Sequence, residues 1–207
     1  MTDKLLRDAL ILWATIDPVG TLAIFASLTG HLTDAERRRT ALKAVLYAGA
    51  ILVGAVIIGQ FLLSAMGIRL VSLQVAGGII LFLFGLKMVF GTPLTQGGAH
   101  SEPGHDIAVF PLAVPSIATP GALMAVIILT DNHTYPIQVQ LATTGVMLAV
   151  LFATFGFMLA AGHIIRVIGH NGSAILVRVM GMLLAALSIE LVMEALNIFD
   201  LLQTSTN

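Results

Sequence analysis

The chain of 207 residues is 57% hydrophobic and 10% charged, whereas a soluble domain carries roughly 25% charged residues and about 45 to 50% apolar ones, so this composition belongs in lipid. Ten basic residues against eleven acidic ones leave a net charge of -1, with no basic face to neutralise phosphates, and no nucleic-acid partner is expected. The absence of cysteine excludes a disulfide framework, a thiolate metal site and a thiol redox relay.

Lys4 and Arg7 precede an apolar run in the manner of a signal peptide. That run continues through Asp17-Pro18-Val19-Gly20 to Leu28 with no Ala-x-Ala site behind it, and reads as part of the mature protein. A helix crossing a ~30 Å hydrocarbon core needs about 20 residues. Six segments suffice: Ala9 to Leu28, Ala41 to Met66, Val71 to Phe90, Ile107 to Leu129, Val139 to Ile168 and Ala174 to Ile198. Between the third and fourth, Gly91 to Asp106 holds Pro93, Gly97, Gly98, Pro103 and Gly104 among polar residues, which reads as a flexible loop joining two halves.

The halves echo one another. Asp17-Pro18-Val19-Gly20 in the first segment matches Thr119-Pro120-Gly121-Ala122 in the fourth, Pro18 to Pro120 being 102 residues. Gln74-Val75-Ala76-Gly77-Gly78 in the third matches Arg178-Val179-Met180-Gly181-Met182 in the sixth, Gly77 to Gly181 being 104 residues. Three helices per unit is an odd number, so the second unit enters the membrane from the opposite side, as in many secondary transporters. The expected fold is all-α: one transmembrane domain over 1–207, with repeat one at about 1–90, the loop at 91–106 and repeat two at about 107–207. If the helices alternate, Lys4, Arg7 and Arg69 lie on one side. Arg37, Arg38, Arg39, Lys43, Lys87, Arg166 and Arg178 lie on the other. The excess marks the cytoplasm and places both termini outside.

Proline inside a helix removes a hydrogen bond, so Pro18 should free the carbonyl of Ala14 and Pro120 that of Ser116. Asp17 and Thr119 are favourable N-cap residues and each following proline suits the first helical position. Helices one and four are therefore expected to break at mid-membrane, against the plainer alternative that both prolines only kink packed helices. Unpaired backbone at that depth must be buried in protein or line a cavity, and paired breaks would meet there. Asp17 is an acid near the centre of a span and needs a partner. It either caps its own half-helix, through Val19 or Gly20, or also meets a substrate cation or a proton. Thr119 leaves the second helix start its partial positive charge, with amides at Gly121, Ala122 and Leu123. Together Ala14, Asp17, Pro18, Val19, Gly20, Ser116, Thr119, Pro120, Gly121, Ala122 and Leu123 form the expected substrate site. One break offers an anion to an ammonium and the other offers amides to a carboxylate.

Elsewhere, Pro111 and Pro115 shape the start of helix four. Glu190 and Glu194 share a face of helix six, and with Arg178 about 18 Å from Glu190 they read as unpaired residues near the external interface. His163 and Arg166 read as interfacial. His100, Glu102, His105 and Asp106 read as a solvated loop rather than a metal site. No metalloprotease, nucleophile-elbow, phosphate-loop or aspartyl-dyad signature is present, and no enzyme is expected.

Four stretches carry a family resemblance: Ile16-Asp17-Pro18-Val19-Gly20, Val75-Ala76-Gly77-Gly78-Ile79, Phe110-Pro111-Leu112-Ala113-Val114-Pro115-Ser116-Ile117-Ala118-Thr119-Pro120-Gly121 and Arg178-Val179-Met180-Gly181-Met182-Leu183-Leu184. With them the chain resembles the MarC family of bacterial and archaeal inner-membrane proteins, allied to LysE-type amino acid exporters. The resemblance implies six spans in inverted three-helix repeats and transport of small neutral amino acids. It departs at two positions, since the family pattern has Asn where this chain has Asp17 and Gly where it has Thr119. The expected function is a secondary transporter of glycine- or alanine-like zwitterions in the inner membrane. The rivals are a cation or metal exporter and a non-transporting membrane assembly factor. No cofactor is expected. The coupling ion, H+ or Na+, and the oligomeric state are left open by the sequence.

Overall fold

The computed structural model describes residues 2–90 and 106–196. They form α1 (Thr2–Ile16), α2 (Pro18–Thr29), α3 (Asp34–Ala65), α4 (Leu70–Phe90), a distorted coil (Ala108–Ile117), α5 (Pro120–Leu129) and α6 (Ile137–Ala195), with no strand among the described residues. Four stretches are long and apolar enough to cross a membrane: Thr2–Thr29, Asp34–Ala65, Leu70–Phe90 and Ile137–Ile164. A fifth is added if Ala108–Ile117 and Pro120–Leu129, bent by 55°, count as one span. The sixth expected segment, Ala174 to Ile198, lies in the second part of α6 and runs past the last described residue.

Two helices begin earlier than their apolar runs. α3 starts at Asp34 rather than near Ala41, because Thr33 and Glu36 close a reciprocal capping box over a polar first turn. α1 starts at Thr2 rather than Ala9, and Lys4 and Asp8, one turn apart, pair within the added turns. The coil at Ala108–Ile117 follows from its prolines. Phe110 and Val114 take extended backbone angles ahead of Pro111 and Pro115, the conformation that a following proline imposes, and both X-Pro bonds are cis.

Gly169, with φ 72° and ψ 169°, interrupts α6 and divides it into stretches at 137–168 and 170–195. The second packs antiparallel on α4. A Cβ built on Gly85 would stand 2.7 Å from the Gly181 carbonyl oxygen, and one on Gly78 would stand 3.1 Å from that of Ser188. Only glycine permits backbones so close, which is how membrane helices gain contact without a hydrophobic driving force. A large apolar cluster includes Leu12, Ile16, Phe25, Leu52, Leu112, Ile117, Met147 and Met158. A smaller one, Leu81, Met88, Met124, Leu184 and Leu191, fills the space between α4, α5 and the second part of α6. Ile57, Phe61, Phe90 and Phe152 project from the exterior, as side chains facing hydrocarbon would.

Candidate functional site

The two helix starts that follow Asp17 and Thr119 share one plan. Asp17 adopts a left-handed conformation, φ 50° and ψ 71°, which short polar side chains tolerate better than most. Its Oδ1 accepts from the Gly20 amide at 2.9 Å and its carbonyl from the Thr21 amide at 3.0 Å. At the other start, the Oγ1 of Thr119 accepts from the Ala122 amide at 2.8 Å, and its carbonyl from the Leu123 amide at 2.9 Å. Each proline has no N–H to place. What remains at each start is the amide of the second helical residue, Val19 in α2 and Gly121 in α5, with no partner among the described residues.

Hydroxyl groups join the starts across 95 to 104 residues of sequence. Thr119 donates to the Thr15 carbonyl at 2.8 Å. Thr21 donates to the Ser116 carbonyl at 3.3 Å, and its oxygen lies 3.1 Å from the Ser116 hydroxyl. Thr15, Asp17, Thr21, Ser116 and Thr119 are all buried, so these bonds satisfy backbone acceptors that a continuous helix would have used. Two interrupted backbones thus meet in one polar knot inside an apolar molecule.

The knot corrects the sequence-derived site in three respects. Of the three amides offered to a carboxylate, those of Ala122 and Leu123 are engaged, the first by its cap and the second by the first helical bond, leaving Gly121. The Ser116 carbonyl receives Thr21, while that of Ala14 has no partner among the described residues. Pro18 and Gly20 are buried and Val19 is half-buried, but Pro120 is exposed. Thr15 and Thr21 were not singled out by the sequence; their only local signal is that each lies within one turn of Pro18.

The Asp17 carboxylate is 2% exposed and forms no ion pair among the described residues. A charge buried so far from water is costly unless compensated. Its outer oxygen lies over Gly20, where a Cβ would fall 2.1 Å from it, and the Met88 methyl closes the same spot at 3.2 Å. Among the described residues no three His, Asp or Glu side chains converge to hold a metal ion.

At the end of the molecule holding the α1 N-terminus, Asp8 is buried and one of its oxygens takes Lys4 Nζ at 2.5 Å and the Thr143 hydroxyl at 2.6 Å. The Lys4 ammonium also lies 4.1 Å from the Tyr135 ring centre. Arg7 binds Glu194 through two contacts of 2.8 and 2.9 Å. Glu194 is therefore paired, contrary to the sequence reading, because α1 reaches it from the other end of the chain; Glu190 carries no ion pair among the described residues. His163 and Arg166 are exposed. His100, Glu102 and His105 lie outside the described residues. Asp106 pairs with Lys43 at 2.6 Å, and the Lys43 hydrogen bond, with help from the Ala108 amide, holds its carboxyl below the usual range.

Residues 2–199 match the model of a family described as MarC family integral membrane protein. The chain is 30% identical over 202 residues to the UPF0056 inner membrane protein MarC of Citrobacter koseri, covering 89% of this chain and 90% of that one. It is 28% identical over 198 residues to the UPF0056 inner membrane protein YhgN of Escherichia coli K12, covering 95% and 98%. A UPF0056 membrane protein of Buchnera aphidicola is 30% identical over 193 residues, covering 89% and 88%. No solved structure matches the chain.

Proposed function

The chain belongs to the MarC family of integral membrane proteins, and from that premise we propose that it is a secondary transporter of small neutral amino acids, bound where the two helix starts meet. The observation that carries this reading is a buried carboxylate at Asp17 with no cation, and an amide at Gly121, a positive helix end, with no acceptor, among the described residues, on two helix starts that the bond of Thr119 to Thr15 joins. A zwitterion needs both signs of partner close together. Its ammonium would go to Asp17 and the Ala14 carbonyl, and its carboxylate to the Gly121 amide, with Val19 as the second free amide.

Two interrupted helices facing each other also agree with a fold of six spans in inverted repeats, broken at mid-membrane. The antiparallel packing of α4 on residues 170–195 supports it. Shifting each residue by the 104-residue repeat turns the contact of Gly85 with Gly181 into one between 77 and 189, adjacent to the observed contact of Gly78 with Ser188. The same topology places both termini outside and the Arg37 to Arg39 cluster in the cytoplasm. Single cysteines in this cysteine-free chain, labelled by an impermeant reagent, test that placement, and an external 91–106 segment overturns it.

The function itself is tested by binding of glycine and alanine beside the corresponding amines, which lack the carboxylate, and acetate and propionate, which lack the ammonium. Loss of affinity with either charged group is expected. Amines that bind as well as the amino acids would overturn the reading and favour a cation exporter, which the same unpaired Asp17 would serve.

A further inference from the structure

The polar knot accounts for the two charged ends of an amino acid and leaves its side chain unassigned. One element, α4, sends a side chain against each helix start. A Cβ built on Gly121 would lie 2.6 Å from Leu81 Cδ1, 3.4 Å from its Cγ and 3.5 Å from its Cβ, so the Leu81 tip presses on the residue carrying the free amide. A Cβ on Gly20 would lie 3.2 Å from Met88 Cε, beside the Asp17 carboxylate. Leu81 and Met88 stand seven residues apart on α4, two turns along one face, and both are buried. They belong to the smaller apolar cluster, against which Ala14, the residue with the unpartnered carbonyl, also packs.

We propose that Leu81 and Met88 of α4 set the upper limit on the substrate's side chain. This rests on the amino acid reading of the same site. With the ammonium at Asp17 and the carboxylate at Gly121, the α-carbon lies between the two starts, and its substituent meets the two side-chain tips. Glycine needs no space there and alanine needs one methyl. A longer chain must displace Leu81, a branched side chain packed on all sides, or bend the flexible Met88. The barrier is built of side-chain tips rather than backbone at these two points, so substitution can move it.

The experiment measures binding of glycine, alanine, valine and leucine to the full chain in detergent and nanodiscs, with wild type, Leu81→Ala, Leu81→Val, Met88→Ala and Leu81→Phe. Shortening Leu81 or Met88 is expected to raise valine or leucine binding relative to glycine by about tenfold or more per methylene accommodated. Leu81→Phe should reject alanine before glycine. Leu191→Ala, in the same cluster but against neither helix start, should lower stability and leave the ranking unchanged. The milder Leu81→Val keeps the test decisive if Leu81→Ala does not fold. A wild type that binds no amino acid overturns the proposed function. A wild type that binds glycine and alanine, with a ranking unmoved in Leu81→Val and Met88→Ala, overturns the size limit alone, as does a ranking that shifts equally in Leu191→Ala.

Discussion

The Thr119 hydroxyl donates to the Thr15 carbonyl at 2.8 Å while accepting from the Ala122 amide at 2.8 Å. In an uninterrupted helix the Thr15 carbonyl would receive the amide of Val19, four residues on. One side chain from the far half of the chain takes that place and caps its own helix as well.

Thr119→Val keeps the shape and removes both bonds. It should cost about 2 to 3 kcal/mol, from a lost cap and a buried carbonyl left without a donor. Thr119→Ser keeps the hydroxyl and should stay within about 1 kcal/mol of wild type. Thermal unfolding in detergent measures both; a Thr119→Val protein as stable as wild type means that the knot is not structural.

At Asp17 the cap and the charge are separable. Asp17→Asn retains an oxygen for the Gly20 amide and removes a buried charge that is costly without a partner, so stability should hold or rise. Binding of an amino acid should weaken by about 1 to 3 kcal/mol, the usual worth of a charge-assisted hydrogen bond. Asp17→Ala, which also loses the cap, should be about 1 kcal/mol less stable than Asp17→Asn. Calorimetry and melting curves on the three proteins separate the two roles, and equal affinity in Asp17→Ala overturns the ammonium assignment.

Two ion pairs hold the α1 N-terminal end, and burial ranks them. Lys4 and Asp8 are 22% and 1% exposed at the side chain, Arg7 and Glu194 62% and 45%. Asp8→Ala takes the carboxylate from Lys4 and from the Thr143 hydroxyl, and should cost about 3 kcal/mol, at the lower end for a broken buried pair because Lys4 keeps some water and longer contacts to the Leu129 carbonyl and the Thr143 hydroxyl. Glu194→Ala should cost at most about 1 kcal/mol. Denaturant titrations that rank them the other way would refute the burial argument.

Part of the local structure is legible in the sequence. Asp-Pro and Thr-Pro announce helix starts, and α2 and α5 begin at Pro18 and Pro120. The i, i+4 spacing of Lys4 and Asp8 is equally local, but the pair was not singled out from the sequence. Thr143, which completes that cluster, lies 135 residues from Asp8, and Thr21 lies 95 from Ser116. Hydroxyl groups on apolar helices carry no periodic signal that names a distant partner. The amide of Ala122 is taken by the Thr119 side chain, a matter of rotamer rather than residue type, and that of Leu123 by the Thr119 carbonyl, which follows once the helix starts at Pro120.

Lys43 and Asp106 give a pH dependence of known sign. The Asp106 carboxyl is held below its ordinary value, first by the Lys43 hydrogen bond and then by the Ala108 amide. A depressed folded-state value stabilises the protein above the unfolded carboxyl's range and is lost as the pH falls through the folded value. Both partners are about 40% exposed, so water and salt screen the pair and the effect is small. Below pH 4 the melting temperature of wild type should fall slightly more than that of Asp106→Asn; parallel curves would show that the pair contributes nothing.

Gly85 and Gly181 make the strictest demand on sequence. A Cβ at Gly85 would stand 2.7 Å from the Gly181 carbonyl oxygen and 2.9 Å from the Ala185 amide nitrogen. One at Gly181 would stand 2.7 Å from the Gly85 carbonyl oxygen. These are backbone atoms, which no rotamer change can clear, so α4 and residues 170–195 must separate. Either alanine substitution should cost about 1 to 3 kcal/mol. The double substitution should cost less than the sum, because the first separation makes room for the second methyl. Gly54, Gly145 and Gly156 have no neighbour within 4 Å of a built Cβ. Alanine there should be neutral or stabilising by roughly 0.5 to 1 kcal/mol, the helical advantage of alanine over glycine. Unfolding of the five single variants and the one double variant tests this directly. Additive costs at 85 and 181 would mean that the two glycines relieve separate contacts, and α4 would not be pressed on the second part of α6 as described.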